Sequence, residues 1–211
     1  MKPEVTVIDY GVGNLLSVCR ALEHLGAAVT LSDSPTTIQQ AQRLLLPGVG
    51  AFGDGMAGLH ERRLVEPIRH AIDNGTPLLG ICLGAQLLLD CSEEFGEHRG
   101  LGLIPGEVRA IPSSDGDGRP LKVPHVGWAD LHSECGHPLL QGLPAASAVY
   151  FVHSYQCRPS DQRDLIGYCD FGGHRLTAMI GHGRVIGCQF HPEKSGPVGL
   201  QFLHNFLEWS A

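Results

Sequence analysis

Thr76-Pro77-Leu78-Leu79-Gly80-Ile81-Cys82-Leu83-Gly84-Ala85-Gln86-Leu87-Leu88-Leu89 decides the fold. Leu78–Ile81 is a short apolar run that reads as a buried strand. Ala85 to Leu89 reads as a helix. Between them a Cys stands among small residues, the pattern of a nucleophile elbow. Gly80 and Gly84 permit a turn tight enough to lift the thiol clear of the sheet. The following helix is expected to aim its N-terminus at the sulfur and favour the thiolate.

Upstream, strands and helices alternate. Val5–Ile8 reads as the first strand. Asn14 caps a helix with apolar positions at Leu15, Val18, Cys19, Leu22 and Leu25, and Gly26 ends it. Ala28–Leu31 is the second strand, and Ser34-Pro35 starts another helix. Arg43–Leu46 is the third strand, broken by Pro47-Gly48-Val49-Gly50. Residues 54–73 read as one helix holding Pro67. This order predicts an α/β fold, with a mostly parallel central sheet covered by helices on both faces.

Downstream the texture changes. Leu103–Ile111, Leu121–Val123, Ala148–His153, Leu165–Tyr168, Thr177–Ile180 and Val185–Gln189 read as added antiparallel or mixed strands. The stretch 112–120 is a polar loop or hairpin tip. Leu200, Leu203, Phe206 and Leu207 mark a last helix. One domain over residues 1–211 is expected.

Composition narrows the chemistry. The net charge is −7 and no Lys/Arg run exists, so no nucleic-acid partner is expected. No apolar run is long enough to span a membrane. Met1-Lys2-Pro3-Glu4 leads straight into the first strand, so no leader is expected. The seven cysteines lack C-x-x-C spacing, which fits reduced thiols and a cytoplasmic location. His132, Cys135 and His137 lack a paired-ligand motif and read as a surface loop, so no metal is expected.

A second segment, Gln189-Phe190-His191-Pro192-Glu193, supplies a partner for Cys82. His191 ends a strand and can sit at the sheet edge of the elbow. Glu193 can reach its other ring nitrogen, fix the tautomer and stabilise the imidazolium. Cys82, His191 and Glu193 are the parts of an activated-thiol hydrolase. An oxyanion needs N–H donors, and Leu83 and the Val49-Gly50 segment can supply them. The glycines of Asp9-Tyr10-Gly11-Val12-Gly13-Asn14 complete no nucleotide fingerprint and read as a turn and helix cap.

Together these residues resemble the class I (triad) glutamine amidotransferases. Ile8-Asp9-Tyr10-Gly11-Val12-Gly13-Asn14, Pro47 to Phe52, Val123-Pro124-His125-Val126-Gly127-Trp128, Tyr150 to Tyr155 and Phe190 to Gly196 narrow the resemblance. That set is similar to the glutaminase subunits of imidazole glycerol phosphate synthase, over essentially the full length. The resemblance implies glutamine hydrolysis through a Cys82 thioester, without a cofactor. It implies that Gln86, Ser154 and Tyr155 hold the glutamine backbone. It implies ammonia transfer to a (β/α)8-barrel cyclase subunit, with His125, Trp128, Tyr150 and Lys194 at or near that contact. It also implies a peptide flip in Pro47–Gly50 as the activating switch. Ala85, Val126 and Ala129 depart from the family pattern, and paralogues of this subunit feed ammonia to other acceptors. A flavodoxin-like Cys peptidase or chaperone would share the elbow without needing His191-Pro192-Glu193.

Overall fold

The apolar runs of the first half become strands, and the runs with three-and-four spacing become helices. In the computed structural model, which describes residues 2–209, they follow one another closely. Met1, Ser210 and Ala211 lie outside the described residues. The first half holds β1 (Glu4–Ile8), α1 (Leu15–His24), β2 (Ala28–Ser32), α2 (Pro35–Gln39) and β3 (Leu44–Gly48). It continues through α3 (Phe52–Glu61), α4 (Val65–Asp73), β4 (Leu78–Cys82) and α5 (Leu83–Leu87). Local chemistry sets the helix starts. The Asn14 side chain accepts from the Ser17 N–H at 3.4 Å, and Ser34 caps α2 with Pro35 at its first position.

The second half is mainly strand: β5 (Cys91–Ser92), β6 (His98–Arg99), β7 (Gly106–Ala110), β8 (His125–Ser133) and β9 (Ser147–His153). Then come β10 (Tyr155–Pro159), β11 (Leu165–Phe171), β12 (His174–His182), β13 (Val185–Cys188) and α6 (Gly196–Glu208).

Nine strands form one sheet in the order β2-β1-β3-β4-β13-β12-β11-β8-β9. β2 through β13 pair in parallel, and from β13 outward every pairing is antiparallel. A smaller sheet, β10-β7-β5-β6, lies beside it. The fold is therefore α/β, as expected, with the antiparallel strands continuing the main sheet. Period-two alternation divides the core between the faces. Val5, Val7 and Leu45 pack with Val18, Phe202 and Phe206 of α1 and α6. Ile8, Leu44 and Leu46 pack with Leu59, Ile68 and Leu87 of α3, α4 and α5. Each fully buried leucine contributes about 2 kcal/mol.

Several boundaries differ from expectation. The 54–73 helix is two helices. Arg63, at φ +57°, turns the chain between α3 and α4, with its N–H bonded to His60 O at 3.0 Å. Pro67 causes no kink, because it sits in the first turn of α4, where backbone N–H groups have no helical acceptor. β3 runs on through Pro47 and Gly48. Its pairing with β1 ends at Leu45, so Pro47 faces only β4 and its missing donor costs no ladder bond on the β1 side. Leu121–Val123 is not a strand, since Pro120 and Pro124 bracket it and neither can donate. The 112–120 segment is a turn in which Asp115 accepts from the N–H groups of Asp117 and Arg119 at 2.9 and 2.8 Å.

Candidate active site

β4 delivers Cys82 to the edge of the sheet in a backbone conformation few side chains adopt. Its φ is +54° and ψ −110°, which costs a non-glycine residue about 1–3 kcal/mol. The glycines on either side allow close approach. A Cβ on Gly84 would lie 1.8 Å from Leu46 O, and one on Gly80 would lie 2.7 Å from Gly84 O. Ala85 packs in the same crevice, where a Cβ on Gly187 would meet its methyl at 2.9 Å. The helix after the elbow is shorter than expected. α5 ends at Leu87, so few aligned peptides add to its dipole and its field at the sulfur is small.

The Cys82 residue is 7% exposed. Its Sγ donates to Val152 O at 3.9 Å and accepts from the Gln189 side-chain Nε2 at 3.6 Å. β13 lies beside β4 with Ile81 opposite Cys188. That register carries the chain past the strand end to His191 at the same edge. Ser195 pins this segment: its hydroxyl donates to His191 O at 2.7 Å and accepts from the Tyr150 N–H at 3.0 Å.

His191 Nδ1 donates to Glu193 Oε1 at 2.9 Å, and the two side chains are 3% and 2% exposed. A carboxylate only accepts, so the ring proton is on Nδ1. Nε2 has no hydrogen bond of ordinary geometry among the described residues, so Cys82 acts on it by proximity and charge. Burial alone would push the imidazole down. The Cys82 sulfur and the Glu193 carboxylate outweigh burial and raise it to about 9. Such an imidazole is charged at neutral pH whenever the sulfur beside it is a thiolate.

A cavity of about 280 Å3 opens in front of the sulfur. That is at the small end of ligand pockets. Val49, Gly50, Cys82, Leu83, Gln86, Ser154 and Tyr155 line it, so the residues expected to hold substrate and oxyanion converge here. His191 and Glu193 lie outside this lining. Gly50, at φ +122°, sits where glycine is favoured.

Four further residues line the cavity: Glu94, which carried no sequence signal, and Pro124, Val152 and His153, which lie in the quoted motifs but were given no role at the site. Glu94 Oε2 accepts from the Phe52 N–H at 2.7 Å, leaving its other oxygen for a ligand. His153 Nδ1 donates to Tyr155 O at 2.8 Å. Burial pushes this imidazole down to about 4, so it is neutral. Gln86 is constrained as well. Its Nε2 donates to Tyr155 O at 3.2 Å and to Gln189 Oε1 at 3.0 Å, which uses both amide protons. Only its oxygen can meet a ligand.

The four residues expected at a partner surface separate into two groups. Trp128 is 58% exposed and meets Tyr150 edge-on, with ring centroids 5.9 Å apart. Lys194 Nζ lies 5.9 Å over the Tyr150 ring. Val126, Val123 and Val49 are also exposed. His125 is not part of this surface. It is 6% exposed, stacked on Phe151 at 5.0 Å and 3.1 Å from the His153 ring nitrogen. Strand alternation turns it inward while Val126 points out.

The histidines of the 132–137 segment have other roles. His132 stacks on Tyr168, and His137 accepts from the Leu139 N–H at 3.2 Å. Among the described residues no cluster of three His, Cys, Asp or Glu is placed to hold a metal ion. No helix among them is long and apolar enough to cross a membrane.

Comparison with known proteins places this geometry. The family described as Glutamine amidotransferase class-I matches residues 6–209. The imidazole glycerol phosphate synthase subunit HisH 1 of Legionella pneumophila (strain Lens) is 48% identical over 209 residues, covering 97% of this chain and 98% of that one. The HisH subunit of Geobacillus kaustophilus is 48% identical over 203 residues, covering 96% and 95%. Among solved structures, PurLQS from Thermotoga maritima superposes with a TM-score of 0.77 at 21% identity, over 98% of both chains. A glutamine amidotransferase crystal structure superposes with a TM-score of 0.73 at 21% identity, over 96% of this chain and 98% of that one. These two likenesses carry the fold alone. With a matched family over nearly all its length and relatives this similar, the chain belongs to the class-I glutamine amidotransferase family, among the imidazole glycerol phosphate synthase subunits HisH.

Proposed function

We propose that the chain is the glutaminase subunit of an imidazole glycerol phosphate synthase. It hydrolyses glutamine to glutamate and ammonia and passes the ammonia to a (β/α)8-barrel cyclase subunit. There the ammonia reacts with a phosphoribulosyl-formimino ribonucleotide, yielding imidazole glycerol phosphate and an aminoimidazole carboxamide ribotide for histidine biosynthesis. The chain acts as one glutaminase domain, without a cofactor, in the cytoplasm. The observation that carries this reading is the buried His191–Glu193 pair beside Cys82, next to an amino-acid-sized cavity.

His191 takes the proton of Cys82, and the thiolate so formed attacks the side-chain amide carbon of glutamine. Leu83 N–H and an N–H of the Val49-Gly50 segment receive the oxyanion. His191 gives its proton to the leaving nitrogen, and ammonia departs as the C–S thioester forms. A water then attacks the thioester while His191 takes its proton. The C–S bond breaks, glutamate leaves and His191 returns the proton to sulfur. Glu193 holds the imidazole in register throughout. The free oxygen of Glu94 suits the α-ammonium of glutamine, with Gln86 offering its oxygen and Ser154 and Tyr155 closing the backbone end. Trp128, Tyr150 and Lys194 meet the cyclase, and buried His125 supports that strand from within.

The test is glutamate release from glutamine, alone and with the cyclase subunit and its ribonucleotide. Strong stimulation by the pair, abolished in Cys82→Ala, is expected. Turnover indifferent to the cyclase would point to another acceptor. No hydrolysis under any condition would overturn the glutaminase reading.

A further inference from the structure

The sulfur of Cys82 accepts a hydrogen bond from a residue to which the steps above give no role. Gln189 is 2% exposed, and its Nε2 lies 3.6 Å from Sγ. Its backbone is fixed by an N–H bond to Ala178 O of β12 at 2.9 Å. The orientation of its amide follows from its neighbours. Tyr155 O can only accept, so Gln86 must turn its NH2 group that way. The same NH2 group then donates to Gln189 at 3.0 Å, which places the Gln189 oxygen there. Only the Gln189 NH2 group is left to face the sulfur. Reversing Gln86 would set its oxygen against Tyr155 O, and reversing Gln189 would set its NH2 group against that of Gln86, in a buried site.

We propose that Gln189 is a catalytic residue whose side-chain N–H holds the Cys82 thiolate. The assignment rests on Cys82 being the nucleophile. His191 is charged only until it gives its proton to the departing nitrogen, whereas an amide N–H remains a donor at every step and every working pH. When the thioester C–S bond breaks, sulfur takes the electron pair, and the Gln189 N–H receives that charge before His191 returns the proton. A carbonyl, Val152 O, already lies 3.9 Å from the sulfur, so a thiolate there needs a donor to offset it.

The test reads the thiolate directly. Iodoacetamide alkylation is followed over a pH series, with modification at Cys82 resolved by peptide mass because the chain has seven cysteines. The titratable groups around the sulfur and its cavity are His191, Glu193, Tyr10, Cys188, Cys157, His153, Glu94 and Tyr155, and none changes in the variants. Gln189→Met keeps the length and loses the donor. Its Cys82 midpoint is expected to rise by about one pH unit, about a tenfold smaller acid dissociation constant. Gln189→Glu keeps the oxygen for Gln86 and should rise at least as far. In both, kcat for glutamine should fall more than KM changes. An unmoved midpoint in folded Gln189→Met would overturn the assignment. So would a rise confined to Gln189→Glu, which would report only its added charge. Gln189→Asn, one methylene too short to reach the sulfur, gives the same two readings if the Met variant does not fold. Alkylation needs no glutamine, so a wild-type chain that hydrolyses none would overturn the proposed function and leave this readout standing.

Discussion

Cys82 combines a reactive atom with a strained backbone, and the strain can be measured. Cys82→Gly and Cys82→Ala both remove the sulfur, but only glycine relaxes at φ +54°. Cys82→Gly should be the more stable by about 1 kcal/mol in urea unfolding, reversing the usual order of the two residues. The histidines shape the pH dependence. His191, held up at about 9 against an ordinary 6.5, stabilises the fold fully below 6.5 and loses that contribution as pH rises through 9. His153, pushed down to about 4, is neutral in the fold, while the unfolded chain takes up a proton below 6.5. Stability is therefore lost on acidification between 6.5 and 4. Thermal midpoints should peak near pH 6.5 and fall on both sides. His153→Asn, which keeps a donor for Tyr155 O, should flatten the acid limb alone. Glu94→Gln should raise KM for glutamine about tenfold, by weakening a charge-assisted bond to its ammonium. Cys82, His191 and Glu193 were legible because each sits in a short motif with a mechanism behind it. Glu94 was not, since one acid in a polar turn has no pattern until β5 and β6 carry it to the cavity.

A close crossing of backbone holds the elbow together at the level of elements. α5 lies so close to β3 that Gly84 has no room for a methyl group. Gly84→Ala should cost about 3 kcal/mol, measured by urea unfolding, because the obstacle is a backbone carbonyl that cannot rotate away. The alternating first half was readable because each strand is a short apolar run with turn residues at its ends. Its errors came from proline. Pro47 marks a strand end only if both neighbouring strands need its donor, and β1 stops pairing at Leu45. Pro67 signals a kink only in a helix interior, and the chain had already turned at Arg63. β8 was missed because its pattern holds Gly127, Asp130 and exposed Trp128 instead of an apolar alternation. Its order comes from pairing with β9 along seven residues, a long-range contact that no local window contains.

For the whole molecule, Val49, Val123, Val126 and Trp128 are among the large apolar side chains left at the surface while the buried ones fill both faces of the sheet. Under the proposed function this surface meets the cyclase. Trp128→Ala should weaken that assembly by about 2 kcal/mol, roughly thirtyfold in Kd. Its unfolding midpoint should stay near wild type, because the ring is already in solvent. A matching loss of stability would show that Trp128 holds the fold rather than the partner. The strand order has a consequence of its own. β4 is made early in synthesis and β13 late, yet they lie side by side in the finished sheet. While a chain is still on the ribosome, Cys82 emerges with neither Gln189 nor His191 beside it. Under the proposed function such a chain carries a thiol but no means of turning over glutamine, so ammonia release waits for translation to run through Glu193.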